Sequence, residues 1–259
     1  MNIKISAGSS MEGRYLGSGI SHFVEHMVFK GTSTRKAGEI DREIKSYGGI
    51  INGSSSLDLV DYHVTLPSAS LPKAIAILKD MMLSASFDPS EIEREKEVIL
   101  SEIKMNNDDP QSKLARLLNK NAYQIHPYRH TPIGNEALFK SLNRKDLIDF
   151  YESSYIPNRM SITITGDVEP SIALETAAKE FKDFRLPNYG NFPSLPSEPL
   201  QIDKRYYWEE MDTTLGYIAL GFHSTALNHE DLYAMDILSM ILGRGDNSRL
   251  NRTLYKNKG

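Results

Sequence analysis

The pattern of apolar and polar positions predicts a short strand, a hairpin and a series of helices. Residues 2–7 alternate between the two kinds of side chain, which predicts a strand. Residues 50–54 and 60–66 are predicted to form two antiparallel strands joined by a serine-rich turn, and residues 159–165 a further strand. Helical periodicity predicts helices over residues 17–30, 38–46, 71–84, 89–106, 111–122, 144–155 and 170–184.

The order of these elements predicts the fold class. Runs of helices between hairpin strands are typical of an α+β fold with helices packed on one face of an antiparallel-rich sheet. Prolines without hydrophobic periodicity then predict a linker over residues 187–199 between a first domain, 1–186, and a second, 200–259. The second domain is predicted to begin with strands near residues 202–208 and 216–221 and a helix over 231–242.

The helix predicted over residues 17–30 is apolar on nearly every side and yet carries His22, Glu25 and His26. On a helix, residues four apart lie on one face, so both imidazoles point toward the same place. Unpaired buried charge is costly, and a divalent cation would offset that cost. Two imidazoles and a carboxylate are what a catalytic zinc site needs, and H-x-x-E-H is the inverzincin signature. The alternative is a pair of core histidines with a capping or salt-bridged glutamate.

A third ligand is predicted on the helix over residues 89–106. Glu95 and Glu102 lie seven residues apart at the edge of its apolar stripe, whereas Glu93 and Glu97 point away. Two carboxylates that face inward fit a metal ligand and a residue that supports a ligand. The alternative is a glutamate-rich helix whose acidic side chains all face solvent.

These motifs resemble the pitrilysin/insulinase family of zinc metallopeptidases, the inverzincins, and especially its short members similar to mitochondrial processing peptidase. In that family H-x-x-E-H is followed, 76 residues after its second histidine, by a glutamate ligand, and this count from His26 gives Glu102. Glu95 matches the glutamate that the family has seven residues earlier. The resemblance continues through the "FKGT" of residues 29–32, the "GGIING" of residues 48–53, and later landmarks at 126–128, 133–134 and 166–168.

The resemblance implies one zinc ion per chain, bound by His22, His26 and Glu102. Glu25 would be the general base, and Glu95 would support a ligand from outside the coordination shell. The strand around Asn52 and Gly53 would lie at the cleft, where an extended peptide adds to an exposed sheet edge. Two positions depart from the family pattern, with Gly53 at a usual alanine and Asp58 at a usual glutamate.

The implied activity is zinc-dependent endopeptidase hydrolysis of peptides or of unfolded, presequence-like segments. The alternative is a non-catalytic or partner-dependent subunit or fragment of such a peptidase. A structural zinc site fits less well, because such sites usually use four protein ligands and only three candidates are present.

The resemblance also predicts that a strand before residue 2 and most of a second, homologous half are missing from this chain. A second subunit or the missing C-terminal half is therefore the expected partner that completes a peptide-enclosing chamber. Tyr255 stands where the family usually has arginine.

Composition narrows the remaining choices. The net charge of −4 gives no reason to expect a nucleic acid as partner, and the absence of a long apolar run predicts no membrane span. The sequence contains no cysteine, so histidine and carboxylate are the available zinc ligands. The compartment is not fixed by the sequence: a cytoplasmic location is weakly favoured, and a periplasmic or organellar one stays open if a targeting segment precedes residue 1.

Overall fold

A computed structural model describes residues 1–184 and 193–256, with side chains as far as residue 254. It divides into two compact units, Met1–Ala219 and Leu220–Gly259, which are treated separately below. No helix in the described part of the chain is both long and apolar enough to cross a lipid bilayer.

The first unit contains an open antiparallel sheet of four strands. The strands are β1 (Asn2–Ile5), β2 (Ile50–Ser55), β3 (Val60–Thr65) and β4 (Met160–Thr163), in the order β2-β3-β1-β4. Alternate residues of β3 point to one face, so Val60, Tyr62 and Val64 are buried there. Ile3 and Ile5 of β1 pair with Tyr62 and Val60 and complete the apolar face. The opposite face carries the polar residues of these strands.

Helices cover the apolar face, as the α+β prediction requires. The first unit has α1 (Ile20–Val28), α2 (Glu39–Ser46), α3 (Leu71–Ser84), α4 (Pro89–Asp108), α5 (Pro110–Ala122), α6 (Glu136–Ser141), α7 (Arg144–Ser154) and α8 (Pro170–Glu180). All the predicted helices of this unit are present, within a few residues at each end. Helix α6 was not predicted, because its six residues are too few to show periodicity.

Helix α1 lies at the centre of this layer. It packs against α4 and α7 on the helical side and against β2 on the sheet. Phe23, Val24, Met27 and Val28 are all fully buried, and each such side chain contributes about 1.5–3 kcal/mol when it leaves water. Because α1 is held on every side, the polar groups that it carries are rigidly placed.

The strands predicted over residues 202–208 and 216–221 are wrong. The structure has no strand in either stretch, and Trp208 and Ile218 are 79% and 87% exposed. A strand needs a neighbour for its main-chain hydrogen bonds, and no described strand pairs with either stretch. The division at 187–199 stays a prediction, and residues 187–192 lie outside the described residues.

The second unit contains α9 (Leu232–Gly243) and a π-helical turn, Asn251–Lys256. Helix α9 was predicted over 231–242. It is apolar along most of its length, and Tyr233, Ile237 and Met240 are more than half exposed. The side chain of Tyr255 lies outside the described residues.

Candidate metal centre

Helix α1 begins without a capping side chain of its own. Its N-cap residue is Gly19, in the left-handed conformation with φ of 76°. The carboxyl group of Glu12 takes over this role from the preceding turn, since it accepts the backbone N–H of Gly17 at 3.0 Å and of Ser21 at 3.1 Å. Burial raises the pKa of Glu12 to about 8, although these backbone N–H groups act in the opposite direction. The missing cap at Gly19 is the sequence signal that could have revealed this contact.

The structure brings the three predicted ligands together. His22 and His26 present their Nε2 atoms to Glu102 Oε2, at 3.1 Å and 4.0 Å. The two rings lie 4.5 Å apart, and one ligand atom from each of the three residues falls within 4.8 Å of the others. With bonds of about 2.0–2.1 Å, two ligands of a tetrahedral zinc ion are separated by about 3.3 Å. The observed distances lie on either side of that value, so the donor set fits zinc.

Each imidazole is held by a contact at its other nitrogen. Ser55 of β2 lies with Oγ 2.9 Å from Nδ1 of His22, and Glu95 of α4 lies with Oε2 2.9 Å from Nδ1 of His26. The other carboxylate oxygen of Glu95 is 2.7 Å from Nζ of Lys30. In metal sites generally, such partners fix which imidazole nitrogen is available to a metal and how the ring is oriented. Ser55 was not predicted, since nothing in the local sequence shows that β2 passes behind His22.

The pKa shifts of these groups follow from burial and neighbouring charge. Burial lowers the pKa of His22, and the charge of His26 lowers it further. Burial also acts to lower the pKa of His26, but the hydrogen bond with Glu95 and nearby carboxylates outweigh it and raise the value. Burial acts to raise the pKa of Glu95, and the bonds with His26 and Lys30 lower it overall. Glu95 is therefore held as a charged carboxylate beside His26.

Glu25 lies on α1 between the two histidines and points toward β2. It is buried, with Oε2 3.6 Å from His22 Nδ1. Burial raises its pKa to about 7, and the charges of Glu102 and Glu95 add to this, whereas His26 opposes it. Gly53 makes room for the group, because a Cβ built there would lie 2.6 Å from Oε1. A carboxyl group that titrates near neutral pH is suited to accept and return a proton.

Asn52 and Gly53 lie on β2 at the edge of the sheet. Strand β2 pairs with β3 on one side only, and no described strand occupies its other side. Asn52 is exposed, and its Oδ1 accepts the backbone N–H of Gly53 at 2.9 Å. The outer edge of β2 is therefore a row of main-chain groups beside the buried carboxyl of Glu25.

Comparison with known proteins decides the family. The sequence model of the insulinase family, peptidase family M16, matches residues 1–136. The chain belongs to this family. A second model, described as the peptidase M16 inactive domain, matches residues 141–259.

Relatives of this M16 chain include proteins named as proteases. It is 31% identical over 242 residues to the uncharacterized zinc protease YmxG of Bacillus subtilis, covering 93% of this chain and 58% of that protein. It is 32% identical to the zinc protease PqqE of Helicobacter pylori, covering 93% and 55%. The β subunit of mouse mitochondrial-processing peptidase is 31% identical over 94% of this chain and 50% of that protein. The M16 chain thus spans about half the length of these curated relatives.

Solved structures agree with the fold of the M16 chain. A protease from H. pylori superposes with a TM-score of 0.86 at 29% identity, covering 97% of this chain and 61% of that one. A peptidase M16 inactive domain from Pseudomonas fluorescens gives a TM-score of 0.81 at 18% identity over all of this chain and 62% of that one, and so shows the fold alone. The predicted family and the predicted α+β fold class are confirmed.

Proposed function

We propose that this chain is the metal-bearing part of a zinc-dependent endopeptidase. In this proposal His22, His26 and Glu102 hold one zinc ion, and Glu25 is the general base. The single observation that supports it most is the convergence of three donor atoms within 4.8 Å beside a buried carboxyl group. Zinc proteases among the relatives support the choice of metal and of reaction.

When bound, zinc supplies Lewis-acid chemistry that polarises a carbonyl oxygen and makes water a better nucleophile at neutral pH. The residues of this chain would supply the proton transfer and the orientation of the imidazoles. Glu25 takes a proton from the attacking water and delivers it to the leaving amine. Ser55 and Glu95 keep the imidazoles in the orientation that ligation requires, through their contacts with the Nδ1 atoms.

The edge of β2 is the proposed binding place for the peptide. A peptide in extended conformation can add to it as a further strand, held by main-chain hydrogen bonds that do not depend on its side chains. Gly53 on this edge lies beside Glu25, since a Cβ built on it would be 2.6 Å from Oε1, and Asn52 directly precedes it. This mode fits peptides and unfolded, presequence-like segments, because a folded substrate offers no free strand.

Metal analysis combined with peptide cleavage tests the proposal. The purified chain should contain one zinc ion, cleave an unstructured peptide, lose that activity to a chelator and regain it with zinc. Glu25→Gln should abolish cleavage and keep the zinc, because the amide cannot accept the proton. Glu97→Gln, an exposed position on α4, is the matched control and should retain full activity. Zinc-independent cleavage, or unchanged turnover by Glu25→Gln, would disprove the assignment.

A partner-dependent form of the same enzyme is the second candidate. In the first unit Trp208 and Tyr206 are 79% and 82% exposed, and in the second unit Tyr233 is 78% exposed. Large apolar groups of this kind typically mark surfaces that another protein covers. The proposed partner is a second subunit or the remaining part of a second half, with residues 1–186 as the zinc domain and 200–259 as the start of its homologue. Stoichiometric zinc without cleavage until such a partner is added would favour this candidate over independent activity.

A further inference from the structure

A cavity of about 220 Å³ adjoins the turn of α4 that follows Glu102. Asn106 in its wall follows Glu102 by one turn of α4 and donates its side-chain N–H to the main-chain oxygen of Glu102 at 3.0 Å. His130 forms another part of the wall, and its Nδ1 would lie 2.7 Å from a Cβ built on Gly17, just before α1. The cavity therefore lies between the start of α1, the end of α4 and the first turns of α5.

The lining of this cavity is basic. Arg116 from α5 and Arg129 from the following loop both line it, together with His130, and no lining residue carries a carboxylate. In the part of the chain with described side chains, no carboxylate lies within ion-pair distance of either arginine. Burial lowers the pKa of His130, and the positive charge of Arg129 lowers it further. Asp109, nearby, is engaged as the N-cap of α5 through the backbone N–H of Ser112 at 2.7 Å; its hydrogen bonds with Ser112 lower its pKa, and the charge of Arg116 adds to this.

The two guanidinium groups are held in place by main-chain contacts. Arg116 donates one N–H to the carbonyl oxygen of Asn106 at 2.9 Å, and Arg129 donates one to the carbonyl oxygen of Gln124. A guanidinium has five N–H donors in a planar fork that matches a carboxylate. Each arginine thus keeps donors for a ligand while its position is fixed by the backbone.

We propose that this cavity, the basic pocket of Arg116, Arg129 and His130, binds a carboxylate of the peptide substrate. The inference rests on the proposed peptidase function and narrows its substrates to peptides with an acidic group near the cleaved bond, in place of presequence-like segments, which are rich in arginine and poor in acidic residues. The four residues from Glu102 to Asn106 advance about 6 Å along α4, and an extended peptide advances about 3.3 Å per residue, so the carboxylate is expected about two residues from the scissile bond. An acidic side chain and a free C-terminal carboxylate offer the same chemistry.

Matched peptides test the pocket. Peptides that differ only by Glu, Gln or Lys, placed in turn at each of the positions near the cleaved bond, are compared by kcat/KM with the zinc-loaded chain. At one position the Glu peptide should be cleaved about tenfold faster than the Gln peptide, as a charge-assisted bidentate contact implies. The double variant Arg116→Gln, Arg129→Gln should reduce this ratio to about one, and Arg116→Glu should shift the preference toward Lys. Lys120→Gln removes the same charge from an exposed position of α5 and should keep the ratio.

The source of the carboxylate is decided by peptides with a free or an amidated C-terminus and no acidic side chain. A preference for the free terminus alone assigns the pocket to chain ends, and a preference for internal Glu alone assigns it to side chains. Equal rates for Glu, Gln and Lys at every position, together with equal rates for free and amidated ends, would overturn the proposal. So would an acidic preference that survives in the double variant.

Binding separates failure of the pocket from failure of the proposed function. If the chain alone cleaves no peptide, its independent peptidase activity fails, and labelled Glu and Gln peptides are then compared by fluorescence anisotropy with the same chain. Tighter binding of the Glu peptide, lost in the double variant, would still support the pocket. Equal binding of both peptides would overturn it.

Discussion

Replacement of Glu95 tests how strongly the surroundings of the ligands contribute to metal binding. Glu95 is 6% exposed and contacts both Nδ1 of His26 at 2.9 Å and Nζ of Lys30 at 2.7 Å. Glu95→Gln keeps an oxygen that can accept the imidazole N–H but removes the charge, whereas Glu95→Ala removes both. Loss of such a partner typically lowers metal affinity about 10- to 100-fold, or about 1.4–2.7 kcal/mol. We expect glutamine near the lower end of this range and alanine near the upper end.

The assay is competition for zinc against a chromogenic chelator, with circular dichroism to verify that each variant is folded. Glu93→Gln is the matched control, because Glu93 lies on the same helix with a side chain that is 76% exposed. Its zinc affinity should equal that of the unmodified chain. Wild-type affinity in Glu95→Ala would refute the reasoning, since the contact with His26 would then contribute nothing to ligation.

Two further predictions concern stability. Asp80 is buried on α3 and accepts hydrogen bonds from Thr32, Thr34 and Arg35. Asp80→Asn should therefore lower the free energy of unfolding, measured by chemical denaturation, by about 3 kcal/mol. A loss under 1 kcal/mol would count against this prediction. Burial acts to raise the pKa of Asp80, but these hydrogen bonds lower it overall. The ionised carboxylate therefore stabilises the fold fully at neutral pH, and that stabilisation is lost as pH falls below about 4 toward the lowered pKa. The acid dependence of stability should therefore be weaker in Asp80→Asn, and an identical pH profile would contradict the assignment. Phe23 is fully buried on α1, and Phe23→Ala should cost about 3–5 kcal/mol in the same assay, whereas a small cost would show that α1 is not the centre of the core.

The sequence was sufficient to predict which side chains converge, because helical periodicity places them on one face of each of two helices. Spacing of four places His22 and His26 on one face of α1, and a spacing of seven places Glu95 and Glu102 on one face of α4. That the two faces meet was expected from the family resemblance, and the structure brings them together. The metal-binding and catalytic roles of these residues stay a prediction.

Contacts between segments far apart in the chain could not be predicted. Ser55 meets His22, 33 residues earlier in the chain, through the placement of β2, and nothing in the local sequence marks that contact. At 202–208 and 216–221 the error was the reverse, because strands were predicted where none formed. Alternation of side chains there is compatible with a strand, but a strand forms only where a neighbour supplies hydrogen bonds.

Diffraction from a zinc-loaded crystal at wavelengths on either side of the zinc absorption edge tests the central claim most directly. One anomalous peak should appear within about 2.0–2.2 Å of the Nε2 atoms of His22 and His26 and of the carboxylate of Glu102. Glu102→Gln should weaken or remove that peak, whereas Glu97→Gln should not. A zinc ion bound elsewhere on the chain, or no peak at all between α1 and α4, would contradict the account.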